Sequence, residues 1–140
     1  MDNLQLRQEV VKVLDESKVG TLSTVQNNKP HSRYMTFFHE DLTLYTPTSK
    51  ETHKAEEISN NPNVHILLGY AGDEYGDAYV EVEGTAKLND TEELKKKLWN
   101  EHFEKWFEGP EDPNYVVLEI KPLLVRLMNK EDKEPQTLQL

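Results

Sequence analysis

The spacing of apolar residues divides the first third of the chain into one helix and three strands. Over residues 4–17 apolar positions recur every three or four residues, which is the period of an amphipathic helix with one buried face. Alternation over residues 19–25 leads into a turn sequence at 27–30, so two antiparallel strands joined by a tight turn are predicted. After a turn at Glu40-Asp41, residues 42–45 form a predicted third strand.

The middle of the chain predicts a short helix followed by two strands. Residues 51–61 have helical spacing, and Pro62 stops the helix. Residues 63–71 are almost continuously apolar, which suits a strand that is covered on both faces. A turn region follows at 72–76, and the next strand, 77–88, contains Gly84, where a β-bulge or bend is expected.

The last third predicts a long helix, one or two strands and a tail. Residues 91–107 have helical spacing throughout, which places Trp99 and Trp106 on one packing stripe two turns apart. Residues 114–129 supply the final strand or strands, with a break or a sheet edge at Pro122. Residues 130–140 are charged and poor in large apolar groups, so a loose polar tail is predicted.

This order of elements favours a fold that is mainly β with α. Consecutive strands joined by short turns pair in an antiparallel sheet, which can close into a small barrel with helices at its rim. A chain of 140 residues suits one domain. We therefore predict a single domain over residues 1–129, followed by the polar tail at 130–140.

Composition and charge narrow the classes of function. The chain has 26 acidic and 16 basic residues, whereas nucleic-acid binding requires a continuous basic surface. It has no cysteine, which excludes thiol nucleophiles, and any redox chemistry must come from a bound cofactor. The sequence shows neither a secretory signal pattern nor an apolar run of about 20 residues. We expect a cytoplasmic protein that binds neither nucleic acid nor a membrane.

The histidines do not predict a metal site. The chain has five of them, and they are scattered without the short spacings that metal ligands usually have. No metal is therefore expected.

One segment gathers hydrogen-bond donors and positive charge where a helix is predicted to begin. The sequence TPTSKETHKAEEI carries the hydroxyl groups of Thr48, Ser49 and Thr52 beside Lys50 and Lys54. The first turn of a helix presents unpaired N–H groups and the positive end of the peptide dipoles, so a phosphate binds well there. The alternative is a simple helix cap made by Thr48 or Ser49, with both lysines in solvent.

Arg33 lies in the middle of a predicted strand and shares a face with Met35 and Phe37. A guanidinium group on a partly buried face needs an acidic or phosphate partner. A bound phosphate and an ion pair with one of the chain's own carboxylates both satisfy that requirement.

The order of these motifs resembles that of a known family. The stretch SRYMTFFHEDLTLYTPTSKETHKAEEISNNPNVHILL is followed by YVEVEGTAKLND, a tryptophan-containing segment and EGPEDPNYVVLEIKP. Together these sequences resemble the flavin-binding split-barrel proteins related to pyridoxamine 5'-phosphate oxidase. Within that superfamily the chain is similar to the small bacterial general stress proteins.

The resemblance implies a fold, an assembly and a cofactor site. The fold is a six-stranded antiparallel split β-barrel flanked by helices, which pairs as a homodimer and holds FMN, or alternatively FAD, in a groove between subunits. The residues that the resemblance places at the flavin are Arg33, Tyr34, Met35 and Thr36 along the cofactor, Tyr45 and Thr46 beside the isoalloxazine ring, and Thr52, His53 and Lys54 at the phosphate, with Ser49 as the alternative phosphate hydroxyl. Arg33 is expected to reach toward the ribityl-phosphate arm. For Trp99 and Trp106, the alternative to a packing stripe is that they line the flavin groove from the partner subunit.

The implied function is that of a flavin-dependent oxidoreductase with an unknown substrate. No side chain is predicted as a catalytic acid or base. A non-catalytic flavin- or nucleotide-binding stress protein or sensor is the alternative, and binding of heme or a deazaflavin is a third possibility. The C-terminal sequence EDKEPQTLQL has nothing similar to the Arg-Leu-His substrate motif of pyridoxamine phosphate oxidases, so we do not expect that activity.

Overall fold

The structure, a computed structural model, describes residues 1–72, 77–132 and 134–140, apart from the side chains of His53, Lys54 and Asp132. The predicted turn at 72–76 therefore lies mostly outside the described residues. The elements in chain order are α1 (Asn3–Glu16), β1 (Val19–Gln26), β2 (Lys29–Thr36), β3 (Phe38–Glu40), β4 (Thr43–Ser49), α2 (His53–Asn60), β5 (Asn63–Leu68), β6 (Tyr79–Asn89), α3 (Glu92–Leu98), a 3₁₀ helix (Glu101–Lys105), β7 (Tyr115–Met128), a short 3₁₀ turn (Lys130–Asp132) and β8 (Gln136–Leu138).

All the strands belong to one antiparallel sheet with the order β2-β1-β5-β6-β7-β4-β3, and β8 pairs with β7 beside this path. The fold is the split barrel that the resemblance implies. It has eight strands in the described residues rather than six, because the short strands β3 and β8 are added to the expected set. The prediction of an antiparallel, mainly β fold with helices is confirmed.

A β-bulge in β6 allows β7, the longest strand of the sheet, to continue past Pro122. The pairing of β6 with β7 shifts register between Glu83 and Gly84, and Gly84 faces Pro122. A Cβ atom at Gly84 would lie 2.5 Å from the carbonyl oxygen of Lys121, so only glycine permits this approach. The predicted bulge is confirmed. Pro122 interrupts the ladder locally, and β7 continues as one strand of 14 residues.

The helix α1 covers the sheet because its apolar stripe of Leu6, Val10 and Leu14 is buried against β6, β7 and β8. A capping box starts this helix: the Gln5 amide donates to Asp2 Oδ1 (2.8 Å), and the Asp2 amide donates to Gln5 Oε1 (3.0 Å). The helix α2 packs against β1 and β6 on the same core through Ala55 and Ile58.

The prediction of one long helix over residues 91–107 is wrong, because the α-helix ends at Leu98. The side chain of Asn100 accepts a hydrogen bond from the His102 amide (3.0 Å) and starts a separate 3₁₀ helix. Helical spacing continues across the break, so the period of the apolar residues does not show it. Trp99 and Trp106 consequently do not share one stripe: Trp99 is partly buried, whereas Trp106 is 70% exposed.

The expectation of a loose tail after residue 129 is also wrong for the residues described there. Strand β8 pairs with β7, and Leu138 is buried in the main core. Asn3 and Gln139 join the two ends of the chain, with Asn3 Nδ2 donating to the Gln139 carbonyl (3.1 Å) and the Gln139 amide donating to Asn3 Oδ1 (2.9 Å). One apolar residue in a charged segment is enough to anchor it.

Within the described residues, none of the helices combines the length and the apolar character that a membrane span requires.

The burial of Leu138 predicts that the C-terminal strand contributes to stability. Leu138 is 2% exposed, so Leu138→Ala should lower the free energy of unfolding by about 2 to 4 kcal/mol through lost burial and a cavity. Chemical denaturation monitored by circular dichroism measures this change. Leu140→Ala is the control, because Leu140 is 59% exposed and its truncation should change stability by less than about 0.5 kcal/mol. Equal midpoints for Leu138→Ala and wild type would contradict the assignment of β8.

Candidate functional site

An open groove of about 550 Å³ lies between the end of β2, the end of β4 and the segment around the 3₁₀ helix. Its size falls in the usual range for small-molecule sites. We call it the β2/β4 groove. Its lining residues are Val19, Tyr34, Met35, Thr36, Pro47, Thr48, Ser49, Thr52, Phe103, Trp106 and Phe107.

One part of the groove, which we call the hydroxyl end, consists of Thr48, Ser49 and Thr52. The Thr52 hydroxyl donates to the Ser49 carbonyl oxygen (2.9 Å) and lies 3.4 Å from Thr48 Oγ1. The amide of Glu51 donates to Ser49 Oγ (3.2 Å), which fixes the turn. Thr52 is the N-cap residue of α2, so the positive end of this eight-residue helix is at the hydroxyl end. Hydroxyl groups beside a helix start suit an anionic oxygen ligand.

The rest of the groove is apolar and aromatic. Phe103 and Phe107 are buried beneath it, while Trp106 lies exposed at its surface. We call these three residues the aromatic wall. Strands β1 and β2 contribute Val19 and Tyr34, and Tyr34 is 79% exposed. A flat aromatic group would remove these side chains from water.

Arg33 is bonded to a carboxylate of its own chain. Its Nη2 donates to Glu57 Oε2 on α2 (3.1 Å), and its Nη1 donates to Thr24 Oγ1 on β1 (2.8 Å). The Thr24 hydroxyl donates to the same Glu57 oxygen, and Glu57 is almost completely buried. The Thr24 hydrogen bond, followed by the contacts with Arg33, holds the pKa of Glu57 below its usual value. The sequence left two partners open for Arg33, a bound phosphate and a carboxylate of the chain. In the structure the partner is a carboxylate, that of Glu57.

Tyr45 and Thr46 lie under the groove rather than in its lining. Tyr45 packs in a buried cluster with Phe103, and burial raises its pKa, with Glu40 and Glu119 adding to the effect. Thr46 is completely buried, and its hydroxyl donates to the Thr36 carbonyl oxygen (2.7 Å). This bond holds the end of β2 against β4, which are the two strands that border the groove.

The structure thus brings together half of the site residues named from the sequence. Those that line the β2/β4 groove are Tyr34, Met35, Thr36, Ser49 and Thr52. Arg33, Tyr45 and Thr46 do not line it. His53 and Lys54 begin α2, and their side chains lie outside the described residues. A role for any of these residues in binding stays a prediction.

Sequence reasoning missed most of the aromatic wall as part of the site. Phe103 belongs to the apolar stripe of the predicted long helix and Phe107 carries no prediction, whereas in the structure both line the groove together with residues of β4. Val19 and Pro47 were also missed. The signal that could have been used is Asn100, a good N-cap residue, nine residues before the Gly109-Pro110 pair.

Two comparisons identify what this chain is similar to. A profile of the family described as Pyridoxamine 5'-phosphate oxidase matches residues 6–129. General stress protein 26 of Bacillus subtilis (strain 168) is 62% identical over 140 residues, which is 100% of both chains.

Solved structures of proteins from the same family also match this chain. General stress protein 26 from Bacillus anthracis str. Sterne matches with a TM-score of 0.87 and 41% identity, over 97% of this chain and 99% of that one. A protein from Listeria innocua that is described as a candidate pyridoxamine 5'-phosphate oxidase matches with a TM-score of 0.80 and 42% identity, over 89% of this chain and 99% of that one.

More distant neighbours share the fold alone. A FAD-binding protein from Mesorhizobium loti matches with a TM-score of 0.68 at 23% identity, over 84% of this chain and 90% of that one. A heme binding protein from Mycobacterium smegmatis matches with a TM-score of 0.77 at 16% identity, over 94% of this chain and 57% of that one.

The bonds of Glu57 predict an acid-sensitive contribution to stability. The folded-state pKa of Glu57 lies below the unfolded value of 4.5, so its stabilisation is complete above that pH and is lost as the pH falls through the folded pKa. Glu57→Gln mimics the protonated acid. We expect it to lower the free energy of unfolding by about 1 to 3 kcal/mol at pH 7, and this difference from wild type should shrink on acidification.

Denaturant titrations between pH 7 and pH 3 measure this difference. Glu56→Gln is the matched control, because Glu56 is exposed on the same helix and should show neither the large loss nor the convergence at low pH. A Glu57→Gln difference that is constant with pH would show that the carboxylate charge does not act through these bonds.

Proposed function

Because this chain belongs to the general stress protein family of the pyridoxamine 5'-phosphate oxidase-like split barrels, we propose that it binds a flavin in the β2/β4 groove. FMN is the first choice and FAD the alternative. The observation that carries this proposal is the chemical division of the groove: hydroxyl groups and a helix start at one end, and aromatic side chains along the rest. An aromatic ring with a phosphate-bearing arm matches both parts.

The hydroxyl end supports the placement of the phosphate. Thr48, Ser49 and Thr52 present three hydroxyl groups within five residues, directly before the positive end of α2. Of these three residues, Thr52 is the N-cap, directly before the first residue of the helix. Ser49 and Thr52, the two alternatives for the phosphate hydroxyl, both line this end of the groove, which supports a phosphate placed between them.

The ion pairs of the chain indicate which basic residue could compensate a phosphate at the hydroxyl end. Arg33 is bonded to Glu57, and Lys50 Nζ lies 3.3 Å from Asp90 Oδ2. Lys54 is the basic residue that the resemblance places at the phosphate, and it lies in the first turn of α2. We therefore propose that Lys54 and the helix dipole compensate the phosphate charge, while Arg33 acts only by holding Glu57.

A bound flavin would supply the hydride or electron transfer. The chain's part is to bind and orient the ring and to keep water from its buried face. The Tyr45 hydroxyl beneath the groove stays neutral at physiological pH, because its pKa is raised from an already high value. The substrate of such a flavin-dependent oxidoreductase does not follow from these residues.

A second function, non-catalytic flavin or nucleotide binding by a stress protein or sensor, is favoured by one observation. The described side chains that line the groove are apolar, hydroxyl-bearing or phenolic, and they include no histidine, carboxylate or lysine that could serve as a general acid or base. The two functions are separated by mixing the flavin-loaded protein with NADH or NADPH: bleaching of the flavin and turnover support an oxidoreductase, and a stable oxidised flavin supports a binder.

We propose a homodimer because the sheet face next to the groove exposes apolar side chains. A shallow depression on the outer face of β1 and β5 is lined by Leu67 and Tyr70 and by Val19 and Tyr34, and the last two also line the groove. A second copy seated on this face would cover these residues and close the groove. The flavin would then lie between subunits, as the resemblance implies.

The phosphate assignment predicts the effect of removing Lys54. Lys54→Ala should weaken FMN binding by about 1 to 3 kcal/mol, the range for losing a charged hydrogen-bond partner. Titration of the flavin-free protein with FMN, followed by the quenching of flavin fluorescence, measures this change. Lys50→Ala is the matched control, because Lys50 pairs with Asp90 and should leave the dissociation constant unchanged.

Three outcomes of this titration are informative. Failure of the wild-type protein to bind FMN or FAD would contradict the proposed function as a whole. Binding that is equally strong in Lys54→Ala and wild type would contradict the location of the phosphate. An absorption spectrum typical of heme in the purified protein would show that the cofactor is heme rather than a flavin.

The dimer assignment predicts a mass and a way to disrupt it. Light scattering at micromolar concentration should give about twice the 16.3 kDa mass of the chain. Leu67→Asp places a charge on the proposed interface, so it should shift the protein to a monomer that remains folded. Leu4→Asp is the control on the exposed side of α1 and should stay dimeric. A monomeric wild type would contradict the proposal.

A further inference from the structure

The two tryptophans of the chain have different environments. Trp99 is partly buried and packs edge-to-face with Phe103 (ring centroids 5.7 Å apart) and with Tyr115 (5.6 Å). Trp106 is 70% exposed although its neighbour Phe107 is buried. A tryptophan with most of its large apolar surface in water is uncommon, and such residues mark binding surfaces when they line a cavity.

The backbone on both sides of Trp106 is fixed. Its amide donates to the Phe103 carbonyl oxygen (3.0 Å), and the Phe107 amide donates to the same oxygen (2.9 Å). The buried rings of Phe103 and Phe107 hold this turn against the sheet. The position of Trp106 at the groove is therefore set by the fold rather than by a free loop.

A second set of bonds supports the segment that follows. The Glu108 amide donates to Asp112 Oδ2 (2.9 Å), and the Asn114 amide donates to Asp112 Oδ1 (2.9 Å). The buried Lys95 extends Nζ to the Asp112 carbonyl oxygen (3.1 Å). These bonds connect α3, the aromatic wall and the start of β7, so the wall is rigid before any ligand arrives, which reduces the entropic cost of binding.

Trp106 and Tyr34 are the two most exposed aromatic side chains in the described part of the chain, and both line the β2/β4 groove. They come from different elements, because Tyr34 is on β2 and Trp106 follows the 3₁₀ helix. One groove therefore presents an indole on which a flat ring could stack and a hydroxyl end that could bind a phosphate.

We propose that Trp106 is the residue on which the ring system of the bound flavin stacks. This inference rests on the proposed function and adds a specific contact to it: the groove selects ligands with a flat aromatic ring because the indole is buried only by such a ring. Ribityl or sugar phosphates without the ring reach the hydroxyl end alone and bind weakly. Trp106 thus determines ligand specificity, and the hydroxyl end determines the position of the phosphate.

The test compares Trp106→Leu and Trp106→Phe with wild type in FMN titrations. Trp106→Leu should weaken FMN binding about tenfold, the effect of losing a stacking contact together with its buried area. Trp106→Phe keeps an aromatic face and should recover most of the affinity. An indole in contact with a flavin quenches its emission, so the bound flavin should be clearly brighter in Trp106→Leu than in wild type.

Leu123→Ala is the control, because Leu123 is an exposed apolar residue (58%) that lines neither the groove nor the proposed dimer face. It should leave both the dissociation constant and the brightness of the bound flavin unchanged. Trp106→Leu should fold normally, since the side chain is mostly in water, and thermal melting checks this point. Light scattering on each variant shows whether the dimer is retained.

The outcomes separate this inference from the proposal on which it rests. If wild type and Trp106→Leu bind FMN equally well with equally quenched emission, the stacking role is overturned while flavin binding stands. If Trp106→Leu loses affinity only because it becomes monomeric, the stacking role is likewise overturned, and Trp106 is an interface residue. If wild type binds no flavin, the proposed function fails first.

Discussion

The site depends on one buried carboxylate. Glu57 projects from α2 into the space behind β1 and β2, where it accepts hydrogen bonds from Thr24 and Arg33. A carboxylate removed from water in this way is stable only when it is bonded to donors, and here both donors come from the sheet. The bonds join α2 to β1 and β2, so they hold the helix that begins at the hydroxyl end against the strand that borders the groove. They also engage the arginine that would otherwise be the obvious phosphate ligand.

The sheet supplies the other half of this geometry. Strand β7 pairs with β6, β4 and β8, and it remains continuous because Gly84 on β6 accommodates the backbone beside Pro122. Through β4 it carries Thr48 and Ser49, and the bond from Thr46 to the Thr36 carbonyl draws β2 alongside them. At its beginning, Tyr115 is completely buried among the aromatic rings and donates to the Lys95 carbonyl oxygen (2.9 Å). One strand thus positions both the polar and the aromatic parts of the groove.

Much of the fold could be predicted because its signals are local. Alternation along β1, β2 and β6, the helical stripe of α1 and the glycine at the bulge each follow from a few neighbouring residues. The break after Leu98 could not be predicted from period, since a 3₁₀ helix preserves nearly the same spacing over one turn. Strand β8 escaped because three residues are too few to show alternation, and its pairing partner is supplied by the tertiary fold.

The candidate site shows the same division. Ser49 and Thr52 were named because their hydroxyl groups stand at a predicted helix start, whereas Tyr34, Met35 and Thr36 were named only through the family resemblance. The partner of Arg33 was not identified, because Glu57 is 24 residues away and no local pattern singles it out from the other acidic residues. Trp106 was interpreted first as a packing residue, with a place in the groove only as the alternative, because its exposure follows from the break in the helix that precedes it. Long-range pairing, rather than residue type, is what the sequence alone does not reveal.

The most direct test of this account is a crystal structure of the protein grown with FMN. The account predicts flavin density in the β2/β4 groove, with the phosphate at Thr48, Ser49 and Thr52 and with Arg33 still bonded to Glu57. Density for the phosphate on an Arg33 side chain that has left Glu57, or a flavin bound away from the groove, would contradict it.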